Sequence, residues 1–236
     1  MGAAILFVVL IFAAPAASQD IEVDLELVLA VDGSASVDFE EFRLQMIGFA
    51  TAFRDPGIID GITSGRHGRI AVALMLWSGR DAPVAGVGWH LISDRSTADR
   101  FARALLHMPR AVRPGATAIN YALLEALHQL DDNGYKGTRQ VIDLSADGKE
   151  NNLVDSLAPV DIGRREAIAR NVTINGLPIM TDQPDLEHYF RRTIIGGPGA
   201  FLIRADDYTD FGRAIRVKLL REIRSSMLVG MLEPTP

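Results

Sequence analysis

Hydrophobic and polar positions along this chain change period repeatedly, and the changes predict strands and helices in alternation. From Val23 to Val31 the chain is polar at its start and nearly continuous in apolar residues at its end (Leu25-Glu26-Leu27-Val28-Leu29-Ala30-Val31). That pattern predicts a strand buried on both faces. Phe39, Phe42, Met46, Phe49 and Phe53 then recur at steps of three and four, which is one face of a helix. Asp38 or Ser36 can cap its start, and Asp55-Pro56-Gly57 stops it. Ile70 to Trp77 is a second buried strand, Gly79 to Gly86 a turn-rich connection and Val87 to Ile92 a third strand, so the pair reads as a hairpin. A helix opens at Ser93 or Asp94 and runs to about Met108, before Pro109.

The second half continues in the same manner. Pro114-Gly115 is a loop, Ile119 to Leu130 a helix ended by Asn133-Gly134, and Gln140 to Leu144 a short strand. Asp161 to Arg170 reads as a helix, Val172 to Ile179 as a strand and Asp185 to Ile194 as a further helix. Gly196-Gly197-Pro198-Gly199 is a turn and Phe201 to Arg204 a last strand. The closing helix carries Phe211, Ile215, Leu219, Ile223 and Met227 four apart, a stripe suited to core packing. No internal repeat or low-complexity linker interrupts the series. Strands alternating with helices predict an α/β fold of three αβα layers, an open, mostly parallel sheet with helices on both faces.

The N-terminus departs from this alternation. Ala3 to Ala14 are all apolar, and Ala16-Ala17-Ser18 offers the small-x-small pattern of a cleavage site. The apolar run is shorter than the ~20 residues of a spanning helix, and no Lys or Arg precedes Arg43. The expectation is a signal peptide over residues 1–18, a folded domain over 19–229 and a loose tail over 230–236, with an uncleaved anchor as the alternative. Either reading puts the domain outside the cytoplasm, periplasmic or secreted, with no membrane span in the mature chain.

Composition narrows the chemistry. The 236 residues include no cysteine, which excludes disulfides, thiolate metal sites and a cysteine nucleophile. A formal net charge of -6 argues against nucleic acid as a partner. Arg164-Arg165 and Arg191-Arg192 read as solvated helix faces. His67, His90, His107, His128 and His188 show no metal-ligand spacing.

The candidate chemistry lies where the first strand ends, in Asp32-Gly33-Ser34-Ala35-Ser36: a carboxylate and two hydroxyls, each two residues apart. In an open sheet, ligands sit beyond the carboxyl ends of the strands. Two other segments are predicted at that edge. Arg113-Pro114-Gly115-Ala116-Thr117 brings the Thr117 hydroxyl near a helix N-terminus, and Ile142-Asp143-Leu144-Ser145-Ala146-Asp147-Gly148 brings a second carboxylate, Asp147. Helix capping alone explains Ser34, Ser36 and Asp38, but not Thr117 and Asp147 as well.

On these residues the chain resembles the von Willebrand factor A (VWA) domain family and its metal-ion-dependent adhesion site (MIDAS), whose pattern is Asp-x-Ser-x-Ser, a distant Thr and a distant Asp followed by Gly. The likeness runs from about Asp24 to Met227. More narrowly, the chain resembles a group of secreted bacterial A-domain proteins with an Asp-Gly-x-x-Asn segment, here Asp147 to Asn151. The resemblance implies a Rossmann-like VWA fold. It implies that Ser34, Ser36 and Thr117 ligate a divalent cation directly, with Asp32 and Asp147 acting largely through water. Mg²⁺ suits such a set, since it takes oxygen ligands in near-octahedral geometry at about 2.0–2.1 Å; Mn²⁺ and Ca²⁺ are the other options. Neutral hydroxyl ligands leave the cation's charge under-compensated, so its open position favours an Asp or Glu side chain from a partner protein. The resemblance thus implies a non-catalytic protein-binding module.

Two details depart from the family. Ala116 stands where many relatives have Gly. Lys149, two residues after Asp147, pairs with that carboxylate, steers an acidic ligand or points to solvent. Asn151 and Asn152 add polar contacts near the site or serve only loop solvation.

Other chemistries fit poorly. Counted from Asp32, an EF-hand would need Gly and Glu where Val37 and Arg43 stand. No Gly-Lys-Ser or Gly-Lys-Thr forms a P-loop, and Gly33-Ser34-Ala35-Ser36 is no nucleophile elbow. A metal-dependent hydrolase remains as the alternative function, although no catalytic base or nucleophile is identifiable beside the cluster.

Overall fold

A computed structural model describes residues 20–80, 84–152 and 161–232. The expected signal peptide and the last four residues of the expected tail lie outside them. In chain order the elements are β1 (Ile21–Val23), β2 (Leu25–Asp32), α1 (Phe39–Phe53), α2 (Pro56–Thr63), β3 (Ile70–Trp77), β4 (Ala85–Ile92), α3 (Arg95–His107), α4 (Ile119–Gln129), β5 (Tyr135–Gly137), β6 (Gln140–Ala146), α5 (Asp161–Ala169), β7 (Thr173–Pro178), α6 (Leu186–Tyr189) and α7 (Phe211–Leu232).

Five strands form one sheet in the order β4-β3-β2-β6-β7. All its pairings are parallel except β3 with β4, which closes one edge as the expected antiparallel hairpin. Every residue of β2 and β3 is buried, as their apolar runs predict. Alternation divides β2 between two cores. Leu25, Leu27, Leu29 and Val31 pack with α1, α2, α3 and α7, while Val28 and Ala30 pack with α4, α5 and α6. The result is the three-layer α/β arrangement.

Local signals explain the helix ends. Asp38 caps α1 in a capping box, its side chain taking the Glu41 amide while Glu41 takes the Asp38 amide. Asp94 and Thr97 do the same for α3. Asp55-Pro56-Gly57 both ends α1 and starts α2, because Asp55 accepts the Gly57 amide and Pro56 occupies the first helical position.

Four expectations need correction. Phe39 belongs to the helical period of α1 but is 69 % exposed: it is the first residue of the helix, whose buried positions begin at Phe42. Residues 201–205 run beside β7 through isolated bridges, Gly176 with Leu202 and Ile179 with Ala205, and do not form a regular strand. The helix expected over 185–194 is one α-helical turn that widens into a π-helical turn, Phe190–Ile194. Leu186, Phe190 and Ile194 recur every four residues, and the wider turn keeps all three in the core. Finally, β5 was not expected: it pairs in parallel with β1, and buried Glu26 accepts the Gly137 amide at 2.6 Å and the Asn133 amide group at 2.7 Å.

The topology selects one place on the sheet edge. From β2 the chain passes to α1 on one face, and from neighbouring β6 to α5 on the other. Such a reversal opens a crevice beyond the strand ends. Asp32 is the last residue of β2, and Asp147 directly follows β6.

Candidate functional site

Three loops meet at this crevice. The first follows β2. Asp32 is buried, and its Oδ1 accepts the Ser34 amide at 2.8 Å, a turn that aims the next hydroxyls at the same side. Gly33 lets the chain leave the sheet: a Cβ there would stand 2.7 Å from Val112 Cγ1 and 2.9 Å from Leu76 Cδ1. Ser34 Oγ lies 3.2 Å from Ser36 Oγ, which donates to Asp147 Oδ1 at 2.9 Å. The second loop supplies Thr117, whose hydroxyl is 3.4 Å from Ser34 Oγ. The third supplies Asp147 and Gly148, where a Cβ would stand 3.3 Å from Thr117 Oγ1. Glycine there lets the backbone run close to that hydroxyl. The structure thus brings Asp32, Ser34, Ser36, Thr117 and Asp147 into one chain of contacts.

The loops are also tied to one another by backbone groups. The Ala35 amide donates to the Gly115 carbonyl at 3.0 Å. Thr117 and Asn151 are joined twice: the Thr117 amide donates to Asn151 Oδ1 at 2.7 Å, and the Asn151 amide to the Thr117 carbonyl at 3.0 Å. Asn151 therefore holds the site loops and is not a mere solvated residue. Glu150 Oε2 accepts the Asn120 amide at 2.9 Å, serving the N-terminus of α4, whose own N-cap residue, Ala118, has no side chain to do so. Lys149 pairs with neither site carboxylate. It donates to Asp185 Oδ2 at 2.6 Å with its ammonium 5.9 Å from the Tyr189 ring centroid.

Two residues at the cluster escaped the sequence reading. Arg110 Nη2 donates to the carbonyls of Gly33, Ser34 and Val37 at 3.2, 3.2 and 2.8 Å, pinning the first loop from below. Tyr208 is buried beside Asp147. Burial and the charges of Asp147 and Asp32 push its phenol well above the ordinary tyrosine range, although the hydroxyl makes no hydrogen bond of normal geometry. Neither residue belongs to a sequence motif; only the fold brings them here.

The electrostatics are those of crowded, buried oxygens. Burial, then the charge of Asp147, pushes the Asp32 carboxyl up to about 7, against the pull of the Ser34 hydrogen bonds and Arg110. Burial also raises Asp147, opposed by its hydrogen bond from Ser36, and nearby Asp182 raises it further. Asp32 Oδ2 is buried without a hydrogen-bond partner. Among the described residues no group of three or more His, Cys, Asp and Glu side chains is arranged to hold a metal ion; the donors gathered here are hydroxyls with two carboxylates. An all-oxygen set with an unpartnered buried carboxylate oxygen fits a hard divalent cation.

Comparison with known proteins places the fold. Residues 22–227 match a family described as "Protein of unknown function (DUF1194)". No curated protein matches the chain in sequence. Among solved structures, the pilus adhesin SpaC from Lactobacillus rhamnosus GG is similar with a TM-score of 0.59 at 15 % identity, over 89 % of this chain and 32 % of that one. The vWF domain of the type V pili tip protein Mfa5 from Porphyromonas gingivalis gives 0.58 at 10 % identity, over 93 % and 99 %. Proximal thread matrix protein 1 from the mussel byssus, in a form described as having a zinc-occupied MIDAS motif, gives 0.50 at 16 % identity, over 89 % and 48 %. The chain thus spans about a third of the adhesin's length and about half of the thread protein's. At these identities the likeness is one of fold, and that fold is the VWA-like three-layer α/β fold.

Proposed function

The chain belongs to the DUF1194 family, and we propose that it acts as a divalent-cation-dependent protein-binding module of the adhesion type. Ser34, Ser36 and Thr117 hold the cation through their hydroxyls, and Asp32 and Asp147 hold it largely through water. Mg²⁺ is the cation of choice, with Mn²⁺ or Ca²⁺ as substitutes. What it supplies when bound is an under-compensated positive charge with an open position, which favours an Asp or Glu side chain of a partner protein.

The observation that carries this reading is the meeting of five oxygen-bearing side chains from three loops at the sheet's switch point, one of whose buried carboxylate oxygens has no protein partner. With a cation present, Asp32 Oδ2 gains a counter-charge and the repulsion between Asp32 and Asp147 is relieved. The similar adhesin, pilus-tip and byssal proteins support a binding role outside the cytoplasm, periplasmic or secreted. Among the described residues no helix is long and apolar enough to cross a membrane.

Thermal unfolding of the mature domain tests the reading. A cation that binds the folded state alone stabilises by linkage, about 2.7 kcal/mol at a hundredfold excess over Kd. Mg²⁺ or Mn²⁺ should raise Tm, EDTA should reverse the rise, and Asp32→Ala or Thr117→Ala should abolish it. An unchanged wild-type Tm across all three cations overturns the proposal. Capture of a partner from a periplasmic extract should likewise be lost with chelator.

A further inference from the structure

On the opposite side of β6 from α4, helix α7 carries two charged side chains into the dry interior. Lys218 and Glu222 lie one helical turn apart, and both are 0 % exposed. Lys218 Nζ donates to Glu222 Oε1 at 2.8 Å and stands 2.5 Å from Oδ1 of Asp143 on β6, itself only 2 % exposed. Asn175 on β7 donates to the same Glu222 oxygen at 2.9 Å, and its own Oδ1 takes the Phe201 amide at 2.8 Å. The Phe201 ring centroid is 5.5 Å from Nζ, and Arg139 Nη1 donates to the Glu222 carbonyl at 3.2 Å. Asp143 Oδ2 is buried without a hydrogen-bond partner.

As a plain ion cluster this arrangement is a poor stabiliser. Buried ions lose their hydration, and well-packed apolar residues commonly replace such groups without loss. As a reaction centre it is well composed. A primary amine, a carboxyl carbon and a second carboxylate are held together by three packed elements, away from water. Such fixed placement gives intramolecular reactions effective molarities of about 10⁵–10⁸ M. We propose that Lys218 and Asp143 become joined by an intramolecular isopeptide bond, formed by the folded chain itself with Glu222 as the proton shuttle.

The atoms balance without a co-reactant. The Lys218 ammonium begins with three protons. Glu222 takes the first and hands it to Asp143, leaving a neutral amine against a neutral carboxyl. Nζ attacks Cγ of Asp143; Glu222 takes the second proton from the nitrogen and delivers it to the departing hydroxyl. The C–N bond forms, the C–O bond breaks and water leaves. The amide nitrogen keeps the third proton, and Glu222 returns to its carboxylate. Burial favours the neutral carboxyl that the attack needs, holding Asp143 above the ordinary carboxylate range in spite of Lys218. Asn175 is a positioning residue, fixing the Glu222 carboxylate from β7. The product ties α7 covalently to β6, the strand that leads directly into Asp147, and it does not depend on cation binding.

Tryptic digestion of the denatured full chain, read by mass spectrometry, tests this directly. The expected product is the peptide Gln140–Lys149 joined to Val217–Arg221, uncut after Lys218 and lighter than the two together by one water. In E222Q and in K218M the Gln140–Lys149 peptide should be recovered unlinked, and in E222Q cleavage after Lys218 should return. Quantitative recovery of free Val217-Lys218 from the wild type overturns the proposal, as does a link from Lys218 to Asn175 with loss of ammonia. A fully linked E222Q overturns the assigned shuttle. The wild-type digest decides the bond itself, however the variants fold.

Discussion

Ser36 Oγ donates a hydrogen bond of 2.9 Å to Asp147 Oδ1 across 111 positions of sequence, and it joins the first site loop directly to the third. Asp147 is raised by burial and held down mainly by this bond. Ser36→Ala should therefore act in two ways. In chelator it should cost about 1–2 kcal/mol, the penalty for leaving a part-buried carboxylate short of a donor. With cation it should also remove the rise in Tm. Urea unfolding with EDTA and with Mg²⁺ separates the two effects.

The pH dependence follows from Asp32. Its folded pKa of about 7, set by burial and then by Asp147, lies above the ordinary carboxylate value of about 3.9. A group raised on folding contributes stability that is full below the unfolded pKa and is lost as pH rises through the folded pKa. In EDTA, the Asp32 contribution to Tm should thus be full near pH 4 and fade towards about pH 8. With Mg²⁺ the ionised form is the binding form, so affinity should strengthen over the same rise. Melting curves at matched pH with and without cation should diverge upward in pH. An affinity that does not change between about pH 5 and pH 8 contradicts this assignment.

Among the described residues Arg110 makes no hydrogen bond to the five site side chains, yet one of its nitrogens holds three carbonyls of the first site loop. Supporting contacts of this kind typically account for about 10–100-fold in metal affinity. Arg110→Ala should keep the far-ultraviolet spectrum of the wild type while weakening Mg²⁺ binding by at least about tenfold. Calorimetric titration measures this. A variant that binds Mg²⁺ as tightly as the wild type shows that the loop holds its shape without Arg110.

The phenylalanines of α1 give a test of packing. Phe49 is buried and meets Phe211 edge-on at 5.2 Å between ring centroids, so Phe49→Ala should cost about 3–5 kcal/mol. Phe39, in the same helical period, is exposed, and Phe39→Ser should stay within about 0.5 kcal/mol. Chemical denaturation of the two variants side by side should separate them clearly.

That contrast marks how far the sequence was legible. Apolar runs located β2 and β3 and the sheet they form, because a strand buried on both faces is apolar at most positions; Glu26, an exception within β2, is buried with the Gly137 and Asn133 amides as donors. Helical periodicity identified which face of α1 turns inward, but not that its first residue, Phe39, stays in solvent while the buried positions begin at Phe42. The Gly-rich turn and apolar residues around Phe201 suggested a regular strand, where β7 offers only scattered bridges. At the site, the spacing of Asp32, Ser34 and Ser36 was readable because the three share one turn. Thr117 and Asp147 were readable from the sheet edge their loops were predicted to share, and the family pattern singled them out as site residues. Arg110 and Tyr208 were not, because their contacts with the loops depend on how distant segments pack. Lys149 was visible, but its partner, Asp185, lies 36 positions away on another loop.

The last link in the site is the pair Thr117 and Asn151, whose two hydrogen bonds hold the Thr117 backbone from both its amide and its carbonyl. Asn151→Ala removes the side-chain acceptor of the Thr117 amide while leaving the backbone bond in place. An amide left without its partner in a part-buried loop costs about 1–2 kcal/mol, and the Thr117 hydroxyl loses its fixed direction. The variant should therefore unfold at lower urea and bind cation more weakly, and amide hydrogen exchange at Thr117 should quicken. Asn151→Asp keeps an acceptor at the same place and should restore the protection of that amide. If Asn151→Ala exchanges as slowly as the wild type, the backbone bond alone positions Thr117, and the side chain of Asn151 has no part in holding the site.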